Sequence, residues 1–303
     1  MLPAPQAIPS CTIVIPTCQR TPQLRACLAA IAASRFPPAQ LEVIVVDDSG
    51  LGGPELTSAL ALLPPPIRSQ LLTSPHLGPA AARNRGAAAA SGDLLAFLDD
   101  DCHPSPSWLP TLCGAIGPSE SLAAGGRALT RPSSNRWSAA GQHIKDLVYT
   151  YYNANPPHAA FLSSNNFIVP KAAFLSLGGF NQRFRTAEDR DFCRRWLAAG
   201  HQLAYLPHAL VYHDHDLTLP GFLHRYFQYG RGAFRFLRSS SPTTQTKSVR
   251  GFYASLPQLL TAVSQSDGAP ARLVLFAELI LWQAANTAGF LYEALTRTLG
   301  PLT

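Results

Sequence analysis

The sequence predicts an α/β fold for this 303-residue chain, a largely parallel sheet covered by helices on both faces, followed by a helical extension. Short β-branched runs alternate with Ala- and Leu-rich stretches through the first hundred residues. Strand–helix–strand repetition requires crossover connections, which make neighbouring strands parallel and bury both faces of the sheet. Hydrophobic residues make up 47% of the chain against 14% charged, which is enough apolar material for a large core.

Taken in order, CTIVIP (11–16) reads as the first strand. TPQLRACLAAIAAS (21–34) reads as a helix with Thr21 as its cap and Pro22 in its first turn, where a missing N–H removes no bond. LEVIVVDD (41–48) is a second buried strand, 54–66 a short helix stopped by Pro64–Pro66, and IRSQLLTS (67–74) a third strand. GPAAARNRGAAAASG (78–92) is a helix with Gly92 past its end, and DLLAFL (93–98) a fourth strand. Beyond Pro104 the rhythm loosens. A helix is expected near 106–116, a strand near 121–129, an irregular aromatic section through DLVYTYYN (146–153) and a strand over 161–170. KAAFLSLGGF is a short helix stopped by Gly178 and Gly179, 187–200 a helix ended by Gly200, and 201–213 two short strands. From 218 onward three helical segments follow, so the expected units are 1–215 and 216–303.

The net charge is +6, and the basic residues are mostly arginine; only Lys145, Lys171 and Lys247 are lysines. Arginine suits bidentate phosphate contacts. The basic residues form no nucleic-acid recognition motif, so no nucleic-acid partner is expected. Six cysteines contain no C-x-x-C pair, which fits a reduced, cytoplasmic compartment. MLPAPQAIPSC has neither a basic n-region nor an apolar h-region, so no signal peptide is expected. The longest apolar stretch, Leu273 to Tyr292, is interrupted by Glu278, Gln283 and Asn286 and reads as a buried or interfacial helix. The segment LPGFLHRYFQYGRGAFRFLRSS carries His224, Arg225, Arg231, Arg235 and Arg238. It could lie on anionic headgroups at a membrane periphery, bring Arg231 to a bound diphosphate, or pack on the first unit with its arginines solvated. The last apolar helices could instead pair two copies of the chain.

Ligands of open parallel sheets bind at the carboxyl ends of the strands. Two strands here end in acids, Asp47–Asp48 and Asp99–Asp101. Such a cluster is unfavourable unless a cation or hydrogen-bond donors offset the repulsion. Oxygen ligands favour Mg²⁺ or Mn²⁺. The plainer reading is that these acids cap helices or stand in solvent. Glu188, Asp189 and Asp191 in AEDRDF also satisfy the rule that acids start helices. His213 and His215 in VYHDHD are candidate ligands on a strand end.

TIVIPTCQR, VIVVDDSG, GPAAARNRGAAAASGDLLAFLDDDC, GGF and AEDRDF, in that order and spacing, resemble the family 2 glycosyltransferases of GT-A fold over about residues 10 to 215. The resemblance implies a Rossmann-like mixed sheet flanked by helices and an inverting, metal-dependent sugar transfer. The donor would be a nucleotide-sugar, UDP-sugars being favoured. The acceptor would be a glycan, a lipid-linked molecule or a small metabolite, in synthesis of glycans or glycoconjugates such as cell-envelope polysaccharide. By resemblance, Pro16, Thr17 and Arg20 lie beside the base, Asp47 and Asp48 read base or ribose, and Arg83 holds the nucleotide with Asn84 nearby. Asp99 and Asp101 match the D-x-D pair: Asp101 binds Mn²⁺ or Mg²⁺, Asp99 contacts the ribose or the metal's surroundings, Asp100 supports both, and His213 is a third metal ligand. Asp189 takes the acceptor proton and Glu188 positions the acceptor. Gly178, Gly179 and Phe180 match the acceptor-side turn. Asn165 and Asn166 could bond sugar hydroxyls, and Trp108, Trp137 or Tyr149–Tyr152 could stack on sugars, although aromatics are more often core.

The chain departs from processive members. Q-x-x-R-W is absent; Arg194, Arg195 and Trp196 stand instead in DFCRRW, and long transmembrane helices are missing. One addition per encounter is therefore expected, in the cytoplasm or on the inner membrane face. Two other readings compete with this one. A nucleotidyltransferase would need a Gly-rich loop after its first strand, and IPTCQRTPQ has no glycine. A non-catalytic sugar- or nucleotide-binding module would lack the metal or base carboxylates, whereas Asp99, Asp101 and Asp189 are all present.

Overall fold

Strand β1 (Cys11–Thr17) is flanked in parallel by β2 (Leu41–Asp47) and β4 (Leu94–Leu98), with β3 (Arg68–Thr73) outside β2. This is a computed structural model, and it describes residues 9–131, 135–214, 216–239, 251–252, 254–255, 257 and 269–298. Beyond β4 the sheet turns mixed. β7 (Asn166–Pro170) runs antiparallel to β4 and to β6 (Leu122–Thr130). β8 (Gln202–His213) is parallel to β6, and β5 (Cys102–Pro104) closes the edge antiparallel to β8. Among the described residues the order is β3-β2-β1-β4-β7-β6-β8-β5.

The period-2 alternation of the strands divides their side chains between two cores. Ile13, Ile15, Val43 and Val45 pack under α1 (Thr21–Ala32), α2 (Pro54–Leu60) and α4 (Trp108–Ile116). Val14, Ile44, Val46 and Phe97 pack under α3 (Pro79–Ala89), α6 (Lys171–Ser176) and α7 (Glu188–Ala198). Each inner strand is therefore apolar at nearly every position, as a doubly covered sheet requires. A third core joins α5 (Arg136–Tyr152) to α8 (Leu219–Ser239) and α9 (Ala269–Thr298) through Ile144, Leu147, Phe222, Tyr226, Leu279 and Trp282. The middle of the three expected C-terminal helical segments falls largely outside the described residues.

Several expectations need correction. DLVYTYYN is not irregular; it ends the 17-residue helix α5, whose start is capped by Asn135 Oδ1 accepting from Trp137 N. The two expected strands in 201–213 are one strand, β8, with a register break where Gly126 faces Leu206 and Arg127 faces Leu210. Pro207, without an N–H, sits in that break. The 161–170 strand is only Asn166–Pro170. Thr21 is the first residue of α1, and Arg20 occupies the cap position without a side-chain capping bond. β5 was not foreseen. Its three residues, CHP, carry no strand signal of their own, and pairing of Cys102 with His213 defines it.

Candidate active site

The register brings the acids of the sequence to one edge. Thr17 pairs with Asp47 at the ends of β1 and β2, and His213, between Cys102 and Thr130, ends β8 beside the acid triple. A cavity of about 800 Å³ opens there, between the strand ends and helices α5 and α8. Pro16, Thr17, Arg20, Asp48, Arg83, Asp99, Asp100, Asp101, Glu188, Asp189 and His213 all line it.

Each member of the acid triple is paired, Asp100 and Asp101 sharing Arg20. Asp99 accepts from Arg83 Nη2 at 2.5 Å. Asp100 accepts from Thr17 Oγ1 at 2.7 Å and pairs with Arg20 Nη1 at 3.1 Å. Asp101 pairs with Arg20 Nη2 at 2.5 Å and with His213 Nε2 at 2.7 Å. Burial pushes Asp100 up to about 6 despite Thr17 and Arg20. Burial acts the same way on Asp101, but its bonds to His213 and Arg20 outweigh it and hold the carboxyl well below the usual range.

Asp101, Cys102 and His213 each offer a ligand atom, all within 4.8 Å of one another. Burial pushes the Cys102 thiol far up, and sulfur is a soft ligand that oxygen-seeking cations such as Mn²⁺ and Mg²⁺ do not favour. One carboxylate and one imidazole remain, a hard oxygen and a borderline nitrogen, and that donor set fits Mn²⁺ better than Mg²⁺, whose ligands are oxygens. Asp99 does not join this cluster, because its carboxylate faces Arg83. His103 bonds Asp214 at 2.7 Å, and His215 lies outside the described residues.

Arg83 is buried and bridges the two halves of the site, since its Nη1 also donates to Glu188 Oε1 at 3.0 Å. Burial, with Asp189 next to it, pushes Glu188 up to about 7, Arg83 opposing. Burial likewise raises Asp189, whose Oδ1 accepts from Arg190 N at 2.8 Å at the start of α7. Asp189 makes no ion pair among the described residues, whereas Asp191 is held by Arg194 and Arg195, each at 2.8 Å. Ala187, just before Glu188, has φ 74°, a left-handed conformation unusual for a residue with a Cβ. It turns the chain so that both acids enter the helix facing the cavity.

Other expected contacts lie elsewhere. Asp47 is fully buried, and its oxygens accept from Ser49 N, Ser49 Oγ and Gly52 N. It shapes the loop after β2 and does not line the cavity. Asp48 does line it while accepting from Leu77 N and Gly78 N. Asn166 is not an acceptor contact. Its Oδ1 accepts from Trp108 Nε1 and Gly126 N, and its Nδ2 donates to Arg127 O and Ala209 O, so it ties three strands together in the core. Gly178, Gly179 and Phe180 do not line the cavity either. Phe180 packs among Phe97, Phe174 and Phe192. The glycines form a turn whose carbonyl Gly179 O accepts from Arg195 Nη2 at 2.6 Å, while Asn84 bonds both the N–H and the carbonyl of Phe180. Trp108 is core; Asn165, Tyr149 and Tyr152 face the cavity.

Sequence reasoning missed a whole wall. Lys145 on α5 and His224, Arg225 and Tyr229 on α8 line the cavity. With 146–153 read as irregular and no element assigned to the residues just before it, no helix face was on hand for Lys145. The wall continues into an apolar recess formed by Ile144, Val148, Leu217, Tyr226, Phe252 and Trp282.

Comparison with known proteins agrees with this architecture. The family described as Glycosyl transferase family 2 matches residues 12–178, and Glycosyltransferase like family 2 matches residues 135–267. The pre-mycofactocin glycosyltransferase of Mycobacterium tuberculosis is 32% identical over 240 residues, 76% of this chain and 49% of that one. The chain thus spans about half the length of that relative. The succinoglycan biosynthesis protein ExoM of Rhizobium meliloti is 29% identical over 233 residues, 72% of each chain. Among solved structures, the mannosyltransferase PcManGT from Pyrobaculum calidifontis, in complex with GDP-Man and Mn²⁺, superposes with a TM-score of 0.67 at 17% identity. That likeness, over 98% of this chain and 89% of the other, is one of GT-A fold. Because the first family match alone runs through more than half of its residues, the chain belongs to glycosyl transferase family 2.

Proposed function

We propose that the chain transfers a sugar from a nucleotide-sugar donor to an acceptor hydroxyl, with inversion at the anomeric carbon. One observation carries the reading: the Asp101–His213 pair and the Asp189 carboxylate, which makes no ion pair among the described residues, face the same cavity, whose two acidic segments Arg83 joins through Asp99 and Glu188. Asp101 and His213 would hold a Mn²⁺ or Mg²⁺ ion, which when bound stabilises negative charge on a leaving diphosphate. Thr17 and Arg20 keep Asp100 and Asp101 in place, and Asp48 and Pro16 border the space for the nucleoside. Asp189 accepts the proton of the acceptor hydroxyl, and its raised affinity for protons suits that task. Glu188 acts through Arg83, fixing the guanidinium between the two carboxylates. A single base and direct displacement invert the centre.

The recess lined by Ile144, Val148 and Trp282 suits an acceptor with an apolar portion, as in a lipid-linked molecule. Residues 1–215 would supply the chemistry, and 216–303 would complete the acceptor wall begun by Ile144 and Val148 of α5. UDP-sugars remain the favoured donors; the GDP-Man bound by the solved neighbour makes guanosine the first competitor. The cytoplasmic face of a membrane is the expected place of action.

Calorimetric titration with UDP, GDP, dTDP and CDP, with and without Mn²⁺, tests the proposal. One nucleotide should bind tightly only with metal. Asp101→Ala should lose that metal-dependent affinity at least tenfold, and Asp189→Asn should keep it. Absence of metal-dependent binding to all four nucleotides would reject the reading.

A further inference from the structure

Helix α8 presents Gly221, Arg225, Tyr229 and Ala233 to the cavity, one stripe at four-residue spacing. The helix is seated most closely on either side of Tyr229. Gly230 lets it meet the backbone of α9 at Asn286, and Gly232 lets it meet Thr186, whose Oγ1 a Cβ would strike. Thr186 Oγ1 in turn donates to Gln228 O at 3.1 Å. From Thr186 the chain passes through the left-handed Ala187 into Glu188 and Asp189. The contacts that fix Tyr229 therefore fix it relative to the two acids that open α7.

Tyr229 is 48% exposed, yet burial raises the pKa of its phenol. Both hold because the surface that it exposes is cavity wall. Arg225 opposes the rise, and Asp189, Glu188 and Asp99 add to it, so the hydroxyl stands within electrostatic reach of all three acids. Its ring rests edge-on against Tyr226, with centroids 5.7 Å apart, but among the described residues the hydroxyl makes no hydrogen bond. A phenol and several carboxylates bordering one space, unbonded to each other, suit a group that both accepts and donates. An alcohol does both: it accepts from the phenol and donates to a carboxylate. A sugar ring carries several alcohols. Asp99 belongs to the acid triple and Asp189 to the acceptor side, and the sugar in transfer has to lie between them. We propose that Tyr229 Oη donates a hydrogen bond to a hydroxyl of the sugar being transferred, which makes Tyr229 a residue that selects the donor's sugar. This assignment rests on the transfer reading.

Tyr229→Phe removes one oxygen and leaves the ring against Tyr226. The parent and the variant would be titrated in Mn²⁺ with UDP, GDP, dTDP and CDP, with the glucose conjugates of all four, and with UDP-galactose and GDP-mannose. The nucleoside diphosphates lack the transferred sugar, so their affinities should stay within twofold. The nucleotide-sugars that the parent binds should bind roughly three- to tenfold more weakly, the effect of removing one neutral hydrogen bond. The unfolding temperature should not move, because the hydroxyl has no partner among the described residues. A loss of less than threefold for the nucleotide-sugars would overturn the assignment, and metal-dependent binding of a nucleoside diphosphate by the parent would leave the transfer reading standing. Equal loss for nucleoside diphosphate and conjugate would overturn it too, since Tyr229 would then act on the nucleotide or on the shape of the cavity. A parent that binds none of the four nucleoside diphosphates rejects the transfer reading and this assignment with it.

Discussion

Asp99, Asp100 and Asp101 are neighbours in sequence, yet their sets of partners differ: Arg83 for Asp99, Thr17 with Arg20 for Asp100, and Arg20 with His213 for Asp101. The repulsion that makes such a triple unusual is dispersed over two guanidiniums and an imidazole drawn from three distant parts of the chain. Glu188 shows the opposite balance, because burial outweighs Arg83 and leaves it at about 7 against an ordinary 4.5. An acid whose affinity for protons is raised in the folded state stabilises the fold below its unfolded value, and this contribution is lost as pH rises through the folded one. Folding stability should therefore fall between about pH 4.5 and 7, with Glu188 responsible for roughly 1–3 kcal/mol of the change. Glu188→Gln stays neutral and should reduce that slope; urea denaturation at several pH values reads it. A slope equal to the parent's would mean that the ionised carboxylate is fully compensated by Arg83.

Elements were legible where local and tertiary forces agreed. The strands β1, β2 and β4 are apolar runs buried on both faces, and α3 is rich in alanine, so pattern and propensity gave one answer. The acids at the strand ends and at the start of α7 could be read for the same reason, since sheet topology decides where such ends lie. α5 failed that test. Its last turns, Val148-Tyr149-Thr150-Tyr151-Tyr152, are β-branched and aromatic, and burial of Ala140, Ile144 and Leu147 against α8 and α9 overrides their weak helix propensity. The loss extended to the site, for Lys145 belongs to this helix. Asn166 shows the converse error. Its sequence position fits a substrate contact, but only the fold reveals that its amide is occupied by the backbone of neighbouring strands. The α8–α9 pair depends on close backbone approach. A Cβ on Gly230 would run into Asn286 O, and one on Gly289 into Phe227 O. Gly230→Ala should therefore destabilise the protein by roughly 1–3 kcal/mol even though alanine is the better helix former. Denaturant unfolding would measure this, and a stability equal to or above the parent's would show that the helices can separate freely.

On the scale of the whole molecule, α9 is turned inside out. Its acids face inward: Glu293 is buried against Arg231 and Arg235 at 2.8 and 2.7 Å, and Glu278 is buried beside Arg136. Its outward face is apolar, with Leu273, Phe276, Ile280, Leu291, Tyr292 and Leu295 all at least half exposed. The apolar stretch Leu273–Thr296 has 24 residues, about 36 Å of helix, long enough to cross a membrane. Because Glu293 binds α9 to α8 and Glu278 binds it to α5, a crossing would have to break three ion pairs. Lying along the lipid surface keeps them and still removes the apolar face from water. That orientation would bring the apolar recess, which shares Trp282 with the inner side of α9, close to the source of a lipid-linked acceptor. Liposome flotation with anionic lipid should carry the parent chain upward. The combined change Phe276→Glu, Ile280→Glu and Leu291→Glu should abolish flotation and leave the unfolding temperature and nucleotide affinity unchanged, because none of the three touches the cavity. A parent chain that stays with the soluble fraction and elutes as a dimer by light scattering, becoming a monomer in the triple variant, would assign the face to a second copy instead.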